Sequence, residues 1–214
     1  MTPTQIETLA RQKYNATGDT FYSQDEILGY MYEGCVDLCR DNFLIEATYT
    51  TSTVADQQQY SYPTNTIAIK RVTYDGKKLK QMTMREDDAI TGLNQSTTAT
   101  GTPQYYFVWD EVLYLRPIPS SVANLVIYSF NEPSTLTINS TLEIPTVFHA
   151  SLVNFIVSEM AAKDSNFGAA QFYLNKWEKT KLEAKKFARK KLRGDSFATV
   201  QDEDMMIEGY LGIV

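Results

Sequence analysis

The sequence predicts an α+β protein: a helical domain, with two helices from each end of the chain, that carries an inserted antiparallel β-rich domain. Apolar residues recur at helical spacing near both ends, whereas the middle alternates in short runs separated by turn residues. Helices segregated from hairpins are typical of this class. We therefore expect a helical domain at residues 1–44 and 145–193, a β-rich insertion at 45–144 and an extended C-terminal tail at 194–214.

The N-terminal part predicts two helices. The first runs from Thr4 to about Asn15. The second begins with a capping box, in which the Ser23 hydroxyl accepts from the Glu26 amide and the Glu26 carboxylate reaches back to the Ser23 amide. It ends near Asn42. Its apolar face consists of Ile27, Met31, Cys35, Leu38 and Cys39.

Alternating runs then predict strands at 47–54, 58–63 and 67–74. Asp75-Gly76 indicates a type I′ hairpin, because both central positions of that turn need positive φ. We therefore expect the return strand at 77–83.

The second half of the insertion predicts a short helix at 85–90 and a polar loop at 92–101. Residues 104–117 indicate another hairpin, which turns at Asp110-Glu111. Residues 124–130 are apolar on nearly both faces and predict a central strand.

Two further helices are predicted after Pro145, a residue favoured in a first helical turn. One runs from Val147 to about Lys163, and the other from Phe167 to about Arg193. The buried face of the first consists of Phe148, Leu152, Phe155, Ile156 and Met160.

The sequence indicates no catalytic, cofactor or metal site. It lacks a glycine-rich phosphate loop, a nucleophile elbow and a zinc-protease motif. His149 is expected on a helix surface or at a cap, and Glu86 to Asp88 in an acidic, solvated first turn. Cys35 and Cys39 are expected as small core residues, not as a disulfide. We expect no enzyme and no cofactor.

Charge is divided sharply along the chain. Residues 1–175 carry 11 basic and 19 acidic groups, residues 176–193 nine basic and two acidic groups, and residues 194–214 five acidic groups and no basic one. The basic run makes the last helix a candidate site. Its candidate residues are Lys179, Lys181, Lys185, Lys186, Arg189, Lys190, Lys191 and Arg193.

Three interpretations of this basic helix are open. It is a solvated face whose positive end complements the negative C-terminus of the helix dipole, or it contacts DNA, or it contacts an acidic protein surface. The charges occupy several faces, and only Phe187 interrupts them. A nucleic-acid face gathers its charges on one side, so we favour solvent or protein over DNA.

The last residues combine acidic groups with large apolar side chains. A disordered acidic end is the ordinary interpretation. A purely solvated tail has no need of apolar side chains, however, whereas a segment that docks on a partner does. The candidate docking residues are Met205, Met206, Ile207, Tyr210, Leu211, Ile213 and Val214.

No run approaches the roughly 20 apolar residues of a membrane-spanning helix. The first residues also lack the basic and apolar regions of a signal peptide. We therefore expect a soluble protein that is made in a cytosol and has no membrane partner.

The order of these features resembles the head-to-tail adaptor proteins of short-tailed phages, also called tail tubular or head-completion connector proteins. The most specific part is GTPQYYFVW at 101–109, followed by LYLRPIP at 113–119. The resemblance extends over nearly the whole chain, to about residue 190. The other matching stretches are FYSQDEIL at 21–28, DQQQYSYP at 56–63, IKRVTYDG at 69–76 and IPTVFHASLV at 144–153.

The resemblance implies a structural virion protein at the head-tail junction, made in the host cytoplasm. It implies a homo-oligomeric ring, commonly of twelve copies, that docks beneath the portal protein after DNA packaging and provides the platform for tail attachment. The helical domain would form the ring and its portal contact, and the β insertion would face outward or towards the downstream tail (nozzle or tube) protein. The basic helix would lie near acidic groups of the portal or near packaged DNA. We expect residues 195–214 to order only on portal binding.

Two alternatives come from other classes of protein. One is a DNA-binding or DNA-clamping protein that acts through residues 176–193. The other is a carbohydrate-binding or receptor-binding tail protein that uses exposed Tyr and Trp side chains, against which the helical flanks and the lack of trimeric-fibre repeats count. An enzyme ranks last.

Overall fold

The computed structural model describes residues 1–91 and 99–193. These residues divide into two compact units: the first holds Met1–Ile45 and the described residues from Glu132 onward, and the second is Glu46–Asn131. Most helices lie in the first unit and the mainly antiparallel sheets in the second. The predicted α+β class is confirmed.

The described residues form five α-helices and ten strands. The helices are α1 (Pro3–Lys13), α2 (Gln24–Asn42), α3 (Met84–Thr91), α4 (His149–Lys163), which a 3-10 turn at Thr146–Phe148 precedes, and α5 (Phe167–Arg193). The strands are β1 (Glu46–Ser52), β2 (Gln59–Ser61), β3 (Thr66–Tyr74), β4 (Lys77–Lys78), β5 (Lys80–Gln81), β6 (Thr100–Gly101), β7 (Tyr105–Trp109), β8 (Val112–Arg116), β9 (Ile118–Pro119) and β10 (Asn124–Asn131).

In the helical unit, α4 packs against α1, α2 and α5 and supplies the centre of the core. Its predicted buried face is confirmed apart from Phe155, which is half-buried and lies against Trp177 with ring centroids 5.4 Å apart. The apolar face predicted for α2 is also confirmed, since each of its five residues is at most 1% exposed. Apolar residues at helical spacing thus identify both faces that build this core.

The start of α2 differs in part from its prediction. Ser23 is the N-cap, and its hydroxyl accepts from the Glu26 amide at 3.2 Å. The reciprocal half of the capping box does not form, because the Glu26 carboxylate accepts from the Tyr30 hydroxyl at 2.7 Å and from Lys163 Nζ at 2.6 Å. The side chain that was expected to cap its own helix therefore ties α2 to α4.

The segment between the sheets and α4 groups with the helices. The β unit ends at Asn131, whereas the sequence pattern placed the boundary after residue 144. Leu142 and Ile144 are buried, although neither belongs to a regular element. An extended segment without periodicity gives no local sign of the core that it joins.

The β unit contains two four-stranded sheets, in the orders β1-β10-β3-β4 and β2-β8-β7-β5, and a two-stranded sheet, β6-β9. The central position predicted for β10 is confirmed, since it pairs antiparallel with both β1 and β3. Buried residues of both sheets share one core. It includes Tyr60, Val72, Leu113, Leu115, Leu125 and Ile127.

The return strand predicted at 77–83 is wrong in its extent. Asp75 and Gly76 have positive φ, as the predicted type I′ turn requires, but β4 is only two residues long. The chain then crosses to the other sheet, where β5 pairs parallel with β7. A parallel pairing with a strand further along the chain leaves no local signal in the sequence.

The second predicted hairpin is confirmed. β7 and β8 pair antiparallel around Asp110 and Glu111, and both of these turn residues have positive φ. Most of the predicted polar loop, residues 92–98, lies outside the described residues. At its end β6 pairs parallel with β9.

Candidate functional site

Helix α5 carries the candidate site, and its buried face fixes how it is presented. Asn166 caps its N-terminus, with its side-chain oxygen accepting from the Ala169 amide at 3.2 Å. The face turned to the helical core repeats every three to four residues. It consists of Trp177, Thr180, Ala184 and Ala188.

Trp177 and Lys181 both meet Asp37 of α2. Trp177 Nε1 donates to Asp37 Oδ2 at 2.8 Å, and Lys181 Nζ donates to Asp37 Oδ1 at 2.9 Å. Burial by itself would lower the pKa of Lys181, but the hydrogen bond and charge of Asp37 outweigh burial and raise it. Lys181, expected among the portal-facing or DNA-facing residues, therefore already has a partner within its own chain.

The remaining basic residues of α5 differ in exposure. Lys185 and Arg189 are half-buried, while Lys191 is exposed and has a further contact of its own. The side chain of Arg193 lies outside the described residues. The exposed lysines without an ion pair to any described residue are spaced three, seven and four apart, which places them on the outer side of α5, away from α2. They are Lys176, Lys179, Lys186 and Lys190.

Two lysines from different helices converge on Tyr173, a feature that the sequence pattern missed. Lys13 of α1 lies 5.1 Å and Lys176 lies 5.3 Å from the centroid of the Tyr173 ring. Lys13 Nζ also donates to Asn154 Oδ1 of α4 at 2.6 Å. Burial and, second, the charge of Lys176 lower the pKa of Lys13. We call Lys13, Lys176, Lys179, Lys186 and Lys190 the basic flank of α5.

The side of α5 next to α2 adjoins several carboxylates. Glu33 lies one turn before Asp37 on the same face of α2, and neither Glu33 nor Glu159 of α4 forms an ion pair with a described residue. Burial, followed by the charge of Glu33, raises the pKa of Glu159. Glu178 lies 3.8 Å from Lys181 Nζ, which Asp37 already engages. We call Glu33, Asp37, Glu159 and Glu178 the acidic flank of α5.

The side chains that the sequence suggested as candidates for catalysis or metal binding have structural roles. His149 was expected on a helix surface or at a cap, but it is buried at 3% exposure, with its Nε2 2.9 Å from the Ile144 carbonyl oxygen. The expectation of a solvated surface position is therefore wrong, because the ring closes the turn before α4.

The acidic turn at Glu86 to Asp88 is only partly solvated. Glu86 accepts from the Thr83 amide at 2.6 Å, and Asp87 is buried and pairs with Arg116 at 2.9 Å. The predicted first turn of a short helix is present, but one of its carboxylates belongs to the fold of the β unit.

Cys35 and Cys39 are free, buried thiols, as expected for core residues. Burial, before any charge effect, raises the pKa of each thiol to about 12. Within residues 1–91 and 99–193, no group of three or more His, Cys, Asp or Glu side chains could hold a metal ion. Over the same ranges, no helix has the length and apolar character that crossing a membrane requires.

The candidate docking residues of the tail lie outside the described residues, so the structure gives no geometry for them. They are Met205, Met206, Ile207, Tyr210, Leu211, Ile213 and Val214.

Comparison with known proteins gives one clear similarity. The family model described as SU10 adaptor protein matches residues 1–200, a range that covers both units and the whole of α5. None of the curated proteins matches the chain.

Proposed function

We propose a function on the basis of family membership: the chain belongs to the SU10 adaptor protein family, a family of phage head-tail adaptors. It is accordingly a structural phage adaptor protein and a component of the virion. Membership also supports a non-enzymatic role.

Within this role, the protein docks on the portal after DNA packaging and provides the platform to which the downstream tail protein attaches. The observation that carries this proposal is the family match across residues 1–200, since it includes both the helical unit and the β insertion. The two units suit the two neighbours of an adaptor. We assign ring formation and the portal contact to the helical unit, and the outward or tail-directed contact to the β unit.

The assembly that we propose is a homo-oligomeric ring, with twelve copies as the expected number. Oligomers of identical chains close when each copy meets the next through the same pair of complementary surfaces. The helical unit has surfaces of opposite charge on the two sides of α5, which supports such an arrangement. Counting the copies bound per head measures the number directly.

For the portal contact we propose the segment after α5. Its sequence combines five acidic groups with large apolar side chains, a composition suited to a segment that docks on a partner. Removal of residues 195–214 should abolish attachment of the purified protein to DNA-filled heads that carry the portal. Thermal unfolding of the shortened chain serves as the control for its fold. Attachment at the level of the full chain would contradict this part of the proposal.

A second candidate function is DNA binding through α5. The observation in its favour is the set of exposed lysines that form no ion pair with a described residue. Binding of the full chain to duplex DNA should then weaken steeply as salt is raised, because phosphate contacts release counterions. The adaptor role without DNA contact predicts no binding at physiological salt.

A further inference from the structure

Helix α5 separates two surfaces of opposite charge within the helical unit. Asp37 of α2 accepts from Trp177 and Lys181, which lie one turn apart on the side of α5 next to α2. The exposed lysines Lys176, Lys179, Lys186 and Lys190 lie on the outer side of the helix, away from this contact. The basic and acidic flanks follow this division.

The acidic flank carries more charge than its own chain neutralises. Of its four carboxylates, Asp37 and Glu178 meet the ammonium of Lys181, at 2.9 Å and 3.8 Å. Glu33 and Glu159 have no cation of the described residues within ion-pair distance. Two carboxylates next to each other are unfavourable unless a cation approaches from outside. This flank is therefore complementary to a basic surface.

The basic flank has the reverse imbalance. Its five lysines form no ion pair with a described residue, and Glu183 is the one exposed carboxylate of α5 beside them. An aromatic side chain lies among these charges: Phe172 is 55% exposed, and Lys176 Nζ lies 4.2 Å from its ring centroid. Aromatic side chains are enriched at protein interfaces.

Part of each flank lies at the same level along α5: Lys176 and Lys179 of the basic flank and Glu178 of the acidic flank fall within one turn of the helix. A contact between unlike surfaces of identical chains forms a ring if the rotation closes and a filament if it does not.

We propose that the acidic flank of one copy receives the basic flank of the next copy, so that α5 is the element through which the ring assembles. This inference rests on the proposed ring and names its contact surfaces. Phe172 supplies apolar area, and Lys176, Lys179 and Lys186 pair with Glu33, Glu159 and Glu178 of the neighbouring copy. DNA is a poorer occupant, since the acidic flank of the same unit repels phosphates.

A charge-swap experiment on the full chain tests the contact. One variant, K176E/K179E/K186E, makes both flanks acidic, and another, E33K/E159K/E178K, makes both flanks basic. Each variant alone places like charges at every contact and should fail to assemble. An equimolar mixture restores opposite charges at every contact and should recover assembly with alternating copies.

Assembly is measured in two ways: as molar mass by light scattering at about 0.1 M and about 1 M salt, and as copies bound per DNA-filled head. A matched control, K77E/K80E/R85E, changes the charge by the same amount on exposed residues of the β unit and should behave like the parent chain. Thermal unfolding checks that each variant folds.

The outcomes separate this inference from the proposed function. Rescue of assembly only in the mixture supports the α5 contact. Three results would overturn it: assembly by either variant alone, no recovery of assembly in the mixture, or a parent chain that never self-associates. If the parent chain self-associates but does not bind heads, the adaptor role fails, and the light-scattering result still decides the contact.

Discussion

At the scale of single residues, Asp37 connects two elements of the helical unit. Its two carboxylate oxygens accept from the Trp177 indole and from the Lys181 ammonium, both on α5. Trp177 is completely buried, so its N–H depends on this acceptor. Loss of the acceptor leaves a buried donor without a partner. This lowers the free energy of unfolding by more than an exposed hydrogen bond contributes to it.

We therefore expect Asp37→Ala to lower the free energy of unfolding by about 1–3 kcal/mol. Asp37→Asn keeps an acceptor for the indole and should lose less. Urea unfolding of both variants measures the difference. Glu33→Ala, on the same helix but exposed and without an ion pair, should change stability by less than about 0.5 kcal/mol. Equal effects of Asp37→Ala and Glu33→Ala would contradict the assigned role of Asp37.

The two thiols of α2 provide a second prediction at this scale. Because burial raises the pKa of Cys35 and Cys39 to about 12, almost no thiolate exists near neutral pH. We expect a thiol reagent at about pH 8 to leave the folded protein unmodified and to label both cysteines in denaturant. Rapid labelling of the folded chain would show that this face of α2 is not packed in the core.

The sequence indicated the basic residues of α5, but not which of them are available to bind a partner. Lys179 and Lys181 look equivalent in the sequence, yet only Lys181 meets a carboxylate, and that carboxylate lies 144 positions away. The approach of Lys13 to Tyr173 depends on the same kind of long-range packing. Helical spacing defines faces, whereas partners on other elements depend on the tertiary fold.

At the scale of elements, the contact between α2 and α4 depends on one glycine. A Cβ atom at Gly34 would lie 2.6 Å from Leu152 Cδ1 and 2.9 Å from Phe155 Cδ1. Both distances are shorter than a van der Waals contact, so a larger residue forces the two helices apart. Gly34 therefore sets how closely α2 approaches α4.

We expect Gly34→Ala to destabilise the protein, because overpacking costs about 1–3 kcal/mol, more than the gain of up to about 1 kcal/mol in helix propensity. Gly29 is the matched control: it lies in the same helix, and a Cβ there would meet nothing within 4 Å. Gly29→Ala should therefore stabilise the protein by up to about 1 kcal/mol. Thermal unfolding distinguishes the two, and the same sign for both changes would contradict the packing account.

Periodicity and turn chemistry predicted most elements. Both hairpin turns, the central strand β10 and four long helices follow from patterns that are local in the sequence. The parallel pairing of β5 with β7 does not, because no residue near Lys80 indicates a partner strand that begins at Tyr105. Elements are thus encoded locally, whereas the crossing between sheets is not.

At the scale of the whole molecule, the charge partition of the sequence becomes a partition between surfaces. Among the basic residues of 176–193, one lysine has a carboxylate partner, two cations are half-buried and four exposed lysines belong to the basic flank. The acidic flank that faces the other way comes mainly from α2 and α4, which carry no unusual charge run in the sequence. Complementarity of the two flanks therefore becomes visible only in the fold.

The most direct test of the adaptor role uses DNA-filled heads that carry the portal but lack this protein. The purified full chain is added, unbound protein is removed, and electron microscopy locates the bound protein while its copies per head are counted. The adaptor role predicts a ring of density at the portal vertex and recovery of tail attachment. Heads that remain bare at the portal vertex, or protein that binds only to released DNA, would contradict it.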